Sequence, residues 1–233
     1  MSRSICSSSM KSLVICTIFA PFTSSLIAPR LPAGVALAHL RLYEMRDLWA
    51  EYAGARTPLF AFEYAGGTID QHGFAFCESF ALEGMLPVWR YALGDAILEK
   101  RVWMPDGANT TYLRYRLIRG STPIALAITP LVTYRDFHTL SRRADHAFHV
   151  DAGPQGAMIL AAPGARPFHL RANAGSFVPQ NDWFENFFHR VEHERGFDDT
   201  ESDMFAPGTF RATIQPGEAW TLVFSAEAQP DTD

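Results

Sequence analysis

The chain is poor in cysteine: Cys6, Cys16 and Cys77 are all it has in 233 residues. An odd and widely spaced set excludes a disulfide framework and a cysteine-ligated zinc site, and it fits a reducing compartment. Basic residues are also few, 20 Lys and Arg against 25 Asp and Glu, and the signs are mixed along the chain. No basic stripe of the kind that phosphate backbones require is present, so nucleic acid is not an expected partner. No apolar run approaches the roughly 20 residues of a membrane helix, and no membrane partner is expected either. The strongest short run, LVICTIFA (13–20) after Lys11, has the look of a signal-peptide centre and would export the chain. Pro21 breaks that run early and no clean cleavage site follows, so the cytoplasm is the expected location. A nucleophile elbow, a phosphate-binding loop, a dinucleotide glycine pattern and a fixed-period repeat are all missing. The eight histidines are spread along the chain, and neither a metal centre nor a cofactor is expected.

What the chain does have is aromatics and turns. Eighteen Phe, seven Tyr and five Trp sit among 15 Pro and 16 Gly, a composition suited to many short strands. From Phe60 onward the apolar period is two. FAFCESF (74–80) alternates, with Cys77 read as a small buried residue. VWRYAL (88–93) and AILEKRVWM (96–104) flank Gly94-Asp95, a type II′ hairpin signal. TTYLRYRLI (110–118) puts Thr111, Leu113, Tyr115 and Leu117 on one face, and IALAITPLV (124–132) reads as a deeply buried strand. FHV (148–150), AMILA (157–161) and PFHLRA (167–172) follow, separated by Gly153-Pro154 and Pro163-Gly164. TFRATI (209–214) and AWTLVFSAE (219–227) flank Pro216-Gly217 and read as a further hairpin. ALAHLRLYEMRDLWAEY (36–52) suits a helix and a strand equally. The pattern predicts an all-β fold, a large antiparallel two-sheet β-sandwich.

Two clusters carry chemistry. In YRDFH (134–138), Arg135 and Asp136 can bracket a pair of sugar hydroxyls and Tyr134 or Phe137 can stack on the ring, with His138 beside them. The competing reading pairs Arg135 with Asp136 merely to fix a loop. In the second cluster Trp183, Glu185, Asn186 and His189 stand close in sequence. On a regular strand Trp183, Glu185, Phe187 and His189 share one side, and Phe184, Asn186 and Phe188 the other. The bland alternative has Trp183 covering the core edge while Glu185 meets an arginine. Asp198 to Asp203 read as a solvated acidic loop, since no calcium-loop spacing or carboxylate separation is defined.

LAITPLVTYRDFHTLSR (126–142), WFENFFHRVEHERGFDDTESDMFAPGTF (183–210) and QPGEAWTLVFSAE (215–227) together resemble the N-terminal domain of bacterial and archaeal glycogen debranching enzymes. The likeness extends upstream through HGFAFCESFALEGMLPVWRYALGDAILEKRVWMPDGANTTYLRYRL (72–117). It implies the supersandwich form of the β-sandwich, shared with mutarotases and the N-domains of glucoamylases. Residues 25–228 are then the sandwich domain, with a divergent segment at 1–24 and a tail at 229–233. The family's usual opening, a glycine-rich strand and an Asn-Thr-Arg-Arg-Tyr-His-Gly-like motif, has no counterpart in 1–24.

The family's hydrolytic carboxylates lie in a helical barrel outside this domain, so the resemblance implies no catalytic residue here. The candidate carbohydrate-binding set read from the two clusters is Tyr134, Arg135, Asp136, His138, Trp183 and Glu185. The expected partners are α-glucan (glycogen, limit dextrin) and a helical-barrel glucosidase domain, in cis or from a neighbouring frame. The alternatives are a free-standing carbohydrate-binding module, a remnant without function, and a mutarotase-like epimerase using His138 or His189 with Glu185.

Overall fold

The computed structural model describes residues 43–134, 140–197 and 200–227. The segment 1–24 lies outside them. Among the described residues, one sheet runs β13 (Ser176–Phe188), β14 (Glu201–Ile214), β9 (Ile124–Leu131), β1 (Tyr43–Tyr52) and β2 (Ala55–Pro58). The other runs β10 (His149–Gly153), β11 (Gly156–Leu160), β12 (Phe168–Ala172), β15 (Ala219–Ser225), β8 (Thr110–Arg119), β7 (Ala96–Trp103), β6 (Leu86–Leu93) and β5 (Cys77–Glu83). A short hairpin, β3 (Phe62–Glu63) and β4 (Ile69–Asp70), stands apart. All the pairings between these strands are antiparallel. The fold is the expected all-β two-sheet sandwich.

Alternation decides which way each strand faces. In β8, Leu113, Tyr115 and Leu117 are buried between the sheets while Arg114 and Arg116 are exposed. Opposite them, Leu48, Ala50, Leu126, Ile128 and Phe210 of the smaller sheet join Trp220, Leu222 and Phe224 of the larger one in a single core. A second, smaller cluster of Phe60, Phe62, Leu131, Phe187, Met204 and Ala206 lies on the other face of the small sheet. There the 60–64 segment folds over the strands, and Phe62 meets the Phe187 ring edge-on at 5.0 Å. A bidentate ion pair from Arg190 to Glu63 pins that segment to the helix α1 (Arg190–Glu194). Ion pairs that also close a geometric fork hold better than single surface contacts.

The sheets are tied at one end by Tyr52. Its hydroxyl donates to Asp95 Oδ1 at 2.8 Å and accepts the Ser121 N–H at 2.7 Å. Asp95 follows Gly94, whose φ of 64° gives the β6–β7 turn the leading left-handed residue that a type II′ turn requires.

Several strand readings change. The turn at Pro216-Gly217 does not close a hairpin: β14 pairs with β13 and β9, whereas β15 pairs with β12 and β8. The chain crosses here from one sheet to the other. Its turn is held by β8, with Gly217 N–H donating to Leu117 O and Leu117 N–H to Glu218 O. Residues 43–52 are a strand, β1, which settles the ambiguous stretch as far as it is described. The strand expected from 74 starts at Cys77, because Gly73–Phe76 forms a 3₁₀ turn. Cys77 itself is half-buried at the core edge, not fully enclosed. No helix among the described residues is long and apolar enough to cross a membrane.

Close approach of backbones fixes Gly208. A Cβ there would lie 2.4 Å from the Phe177 ring and 2.5 Å from Val178 O. Gly208→Ala must therefore push β13 away, and overpacking of this kind costs about 1–3 kcal/mol. Urea titration should show a lower midpoint with an unchanged slope; an unchanged midpoint would mean the two strands are not held at that distance.

Candidate functional site

The rim between β13 and β10, where the two sheets meet edge to edge, gathers the second aromatic cluster. Trp183 packs against Phe205, its partner across β14, at 5.4 Å between ring centroids, and against Phe148 at 5.7 Å. His146 lies nearly parallel to the indole, 12° between planes at 6.3 Å. The Trp183 side chain is half-buried, one part of it closing the inter-sheet core.

Glu185, two residues on, is exposed and accepts Arg143 Nη1 at 2.9 Å. The bland expectation for both residues therefore describes their contacts. It leaves the outer part of the rim with an indole, an imidazole and an exposed guanidinium–carboxylate pair. Tyr134 packs against the same core, and its hydroxyl accepts the Arg166 N–H at 3.3 Å. Among the described residues it makes no ring contact with Trp183. Arg135, Asp136 and His138, the rest of the first cluster, lie outside the described residues.

The strand alternation expected for 183–189 fails, for a local reason. Between Phe184 and Phe187 the pairing with β14 slips by one residue, and Asn186 takes a left-handed backbone, φ 64°. Asparagine is among the few side chains that tolerate that region. The bulge turns Phe187 onto the side of Phe184, into the outer cluster with Phe62, while Trp183 stays with the inner core. It also separates the nominated acid and base: Glu185 is exposed on Arg143 whereas His189 is 8 % exposed.

Sequence reasoning missed Asp203, which it placed in a solvated acidic loop. Asp203 lies within β14, 7 % exposed. Its Oδ1 accepts the Asn186 N–H at 3.0 Å, its Oδ2 accepts the Arg143 N–H at 2.9 Å, and its own N–H donates to Ser141 O at 2.7 Å. The signal available was its place in TESDMFAPGTF, where bulky apolar residues begin at once after it. Asp198 and Asp199 lie outside the described residues.

The histidine pair in HRVEH (189–193) has the four-residue spacing of a metal site, which the sequence reading overlooked. His189 ends the strand side of that turn and His193 sits on α1, its N–H donating to His189 O. Among the described residues no group of three His, Cys, Asp or Glu is placed to hold a metal ion.

Ser141 Oγ and His146 Nε2 are hydrogen-bonded at 3.1 Å. Burial lowers the His146 pKa below the usual histidine value, against the smaller opposing pull of Asp145. The glycogen debranching enzyme N-terminal family matches residues 30–221, well over half of the chain. The chain belongs to this family. A comparison with curated proteins finds no match. The match takes in the segments 134–138 and 183–189 and Asp203, and it ends within β15.

Two outcomes are expected. Asp203→Ala leaves two part-buried backbone N–H groups without their acceptor, and the loss of each such bond costs about 1 kcal/mol. Thermal unfolding should fall accordingly and tryptophan emission should shift to the red as the rim loosens; an unchanged spectrum would deny Asp203 this role. For His146 the folded pKa is lowered, so the unfolded chain binds the proton more readily. Its contribution is complete above the ordinary histidine value of 6.5 and is lost as pH falls from there through the folded pKa. His146→Phe should remove part of the acid destabilisation measured in that window. A pH profile identical to that of the unsubstituted chain would contradict the burial.

Proposed function

We propose that this chain is a glucan-contacting, non-catalytic β-domain that works beside a helical-barrel glucosidase domain in debranching α-1,6-linked branches. Membership of the debranching-enzyme N-terminal family supports the general role. The observation that carries the glucan reading is the β13–β10 rim. A half-buried indole, an imidazole lying parallel to it and an exposed Arg143–Glu185 pair offer an apolar face beside planar hydrogen-bonding groups. A glucose ring presents the complementary surface, an apolar face edged by hydroxyls. We place the action in the cytoplasm, in keeping with so few cysteines.

The full contact set of the proposal is Tyr134, Arg135, Asp136, His138, Trp183 and Glu185. Trp183 anchors it, since an indole whose inner edge is already packed loses little freedom on binding. Stacking supplies about 1 kcal/mol per aromatic contact, so a single domain should bind weakly.

Mobility in native gels cast with and without glycogen tests this. The chain should be retarded by glycogen, and Trp183→Ala should raise the apparent dissociation constant about fivefold, the equivalent of one such contact. Circular dichroism should remain that of the parent. Retardation that Trp183→Ala leaves intact would remove the rim from the proposal. A parent chain that glycogen does not retard would remove glucan contact altogether.

A further inference from the structure

His146 stands on the rim, and the contact set above leaves it out. The 3₁₀ turn Arg143–Asp145 delivers it, and after that turn the backbone is extended, φ −131° and ψ 143° at His146. Asp203 of β14 holds the turn on both flanks of Arg142, through the N–H it donates to Ser141 O and the N–H that Arg143 donates to its Oδ2. The imidazole is half-buried, with the Phe148 ring at 5.3 Å and the Trp183 indole at 6.3 Å between centroids. Parallel rings in face-to-face contact lie nearer than that, so imidazole and indole are displaced sideways. The imidazole does not cap the indole but stands at its side, where the hydroxyl edge of a sugar stacked on Trp183 falls.

The hydrogen bond behind the ring decides where its proton sits. Ser141 is wholly buried and its Oγ lies 3.1 Å from His146 Nε2. Among the described residues neither Ser141 Oγ nor His146 Nδ1 has another hydrogen-bond partner. Were Nε2–H the donor, the serine hydrogen would be stranded in the interior, and buried donors are the groups least often left unpaired. Ser141 O–H therefore donates to Nε2. Burial, outweighing the pull of Asp145, keeps the imidazole neutral at neutral pH. A neutral ring that accepts at Nε2 carries its hydrogen on Nδ1. The rim thus holds an N–H donor beside the indole with no acceptor among the described residues. Arg143 and Glu185, by contrast, already answer each other at 2.9 Å.

We propose that His146 is a glucan-contacting residue whose Nδ1–H donates to a hydroxyl oxygen of the glucose ring that stacks on Trp183. The inference rests on the glucan reading above and adds to it a directed polar contact. Stacking alone accepts any ring with an apolar face. A donor fixed at the edge of the stack selects rings that bring an oxygen there, because a sugar lacking it leaves the N–H unpaired. Ser141 is the positioning residue of this contact: it touches no sugar, but its buried hydroxyl sets the tautomer.

Nitrogen NMR of the whole chain, labelled at its histidines, reads the proton directly. The free chain should show His146 protonated at Nδ1 and bare at Nε2, and the Nδ1 signal should move on titration with maltoheptaose. A proton on Nε2 instead, or a fixed Nδ1 signal while tryptophan emission follows the titration, overturns the assignment and leaves the rim reading standing. His146→Phe keeps a ring against Phe148 and Trp183. It should weaken maltoheptaose binding about fivefold, the equivalent of one hydrogen bond. His146→Asn, whose amide N–H reaches the place of Nδ1, should lose less. Affinity unchanged in His146→Phe overturns the contact, and a loss as large in His146→Asn assigns His146 to packing alone. A chain in which maltoheptaose moves neither the tryptophan emission nor the Nδ1 signal overturns the glucan reading together with this inference.

Discussion

Inside β14, Asp203 turns its two carboxylate oxygens toward backbone N–H groups from separate segments, Asn186 at the bulge of β13 and Arg143 after β9. Its own N–H donates to Ser141 O. A buried carboxylate is tolerated only where donors surround it, and here the donors are main-chain groups that would otherwise be orphaned. The arrangement fixes the left-handed residue at 186, and the bulge in turn decides the side on which every later residue of β13 falls. Trp183 closes the inner core, Phe187 enters the outer cluster, and Glu185 is left exposed within reach of Arg143. The geometry of the rim thus depends on one side chain that touches none of its aromatic rings.

Much of the sandwich was legible from period-two alternation. TTYLRYRLI faces as expected, with Leu113, Tyr115 and Leu117 buried, and Gly94-Asp95 makes the expected turn. The family resemblance, read from motifs spread along the chain, agrees with the family match over residues 30–221. What alternation could not supply is the identity of each strand's neighbour. Pro216-Gly217 has the composition of a hairpin turn, yet it carries the chain from one sheet to the other, and only pairing partners distinguish the two. The bulge at Asn186 was equally hidden, because a single left-handed residue leaves no mark on composition. Asp203 was misread for a related reason: a carboxylate near other acids looks solvated until the backbone donors around it are known.

The two cores divide the molecule's work. The inter-sheet core, with Trp220 wholly buried and its indole N–H donating to Ala174 O at 2.9 Å, holds the sheets together. The outer cluster on the small sheet, with the Arg190–Glu63 fork, anchors the 60–64 segment and α1 beside the end of β13. Glu99 organises the opposite outer face. Burial alone would raise its pKa, but the hydrogen bonds and charges of Arg101 and Arg90 outweigh that and lower it. The carboxylate therefore stays ionised against the strands, and the arginines it orients are held in fixed positions. The aromatic rim and this arginine-bearing face lie on different parts of one sandwich.

The most direct measurement is fluorine NMR of the chain with all five tryptophans replaced by 5-fluorotryptophan, titrated with maltoheptaose. The Trp183 resonance, assigned by Trp183→Phe, should move with saturating behaviour while those of Trp89 and Trp220, buried in the core, stay in place. A fixed Trp183 resonance at glucan concentrations that saturate binding, or movement at Trp103 alone, would contradict the account.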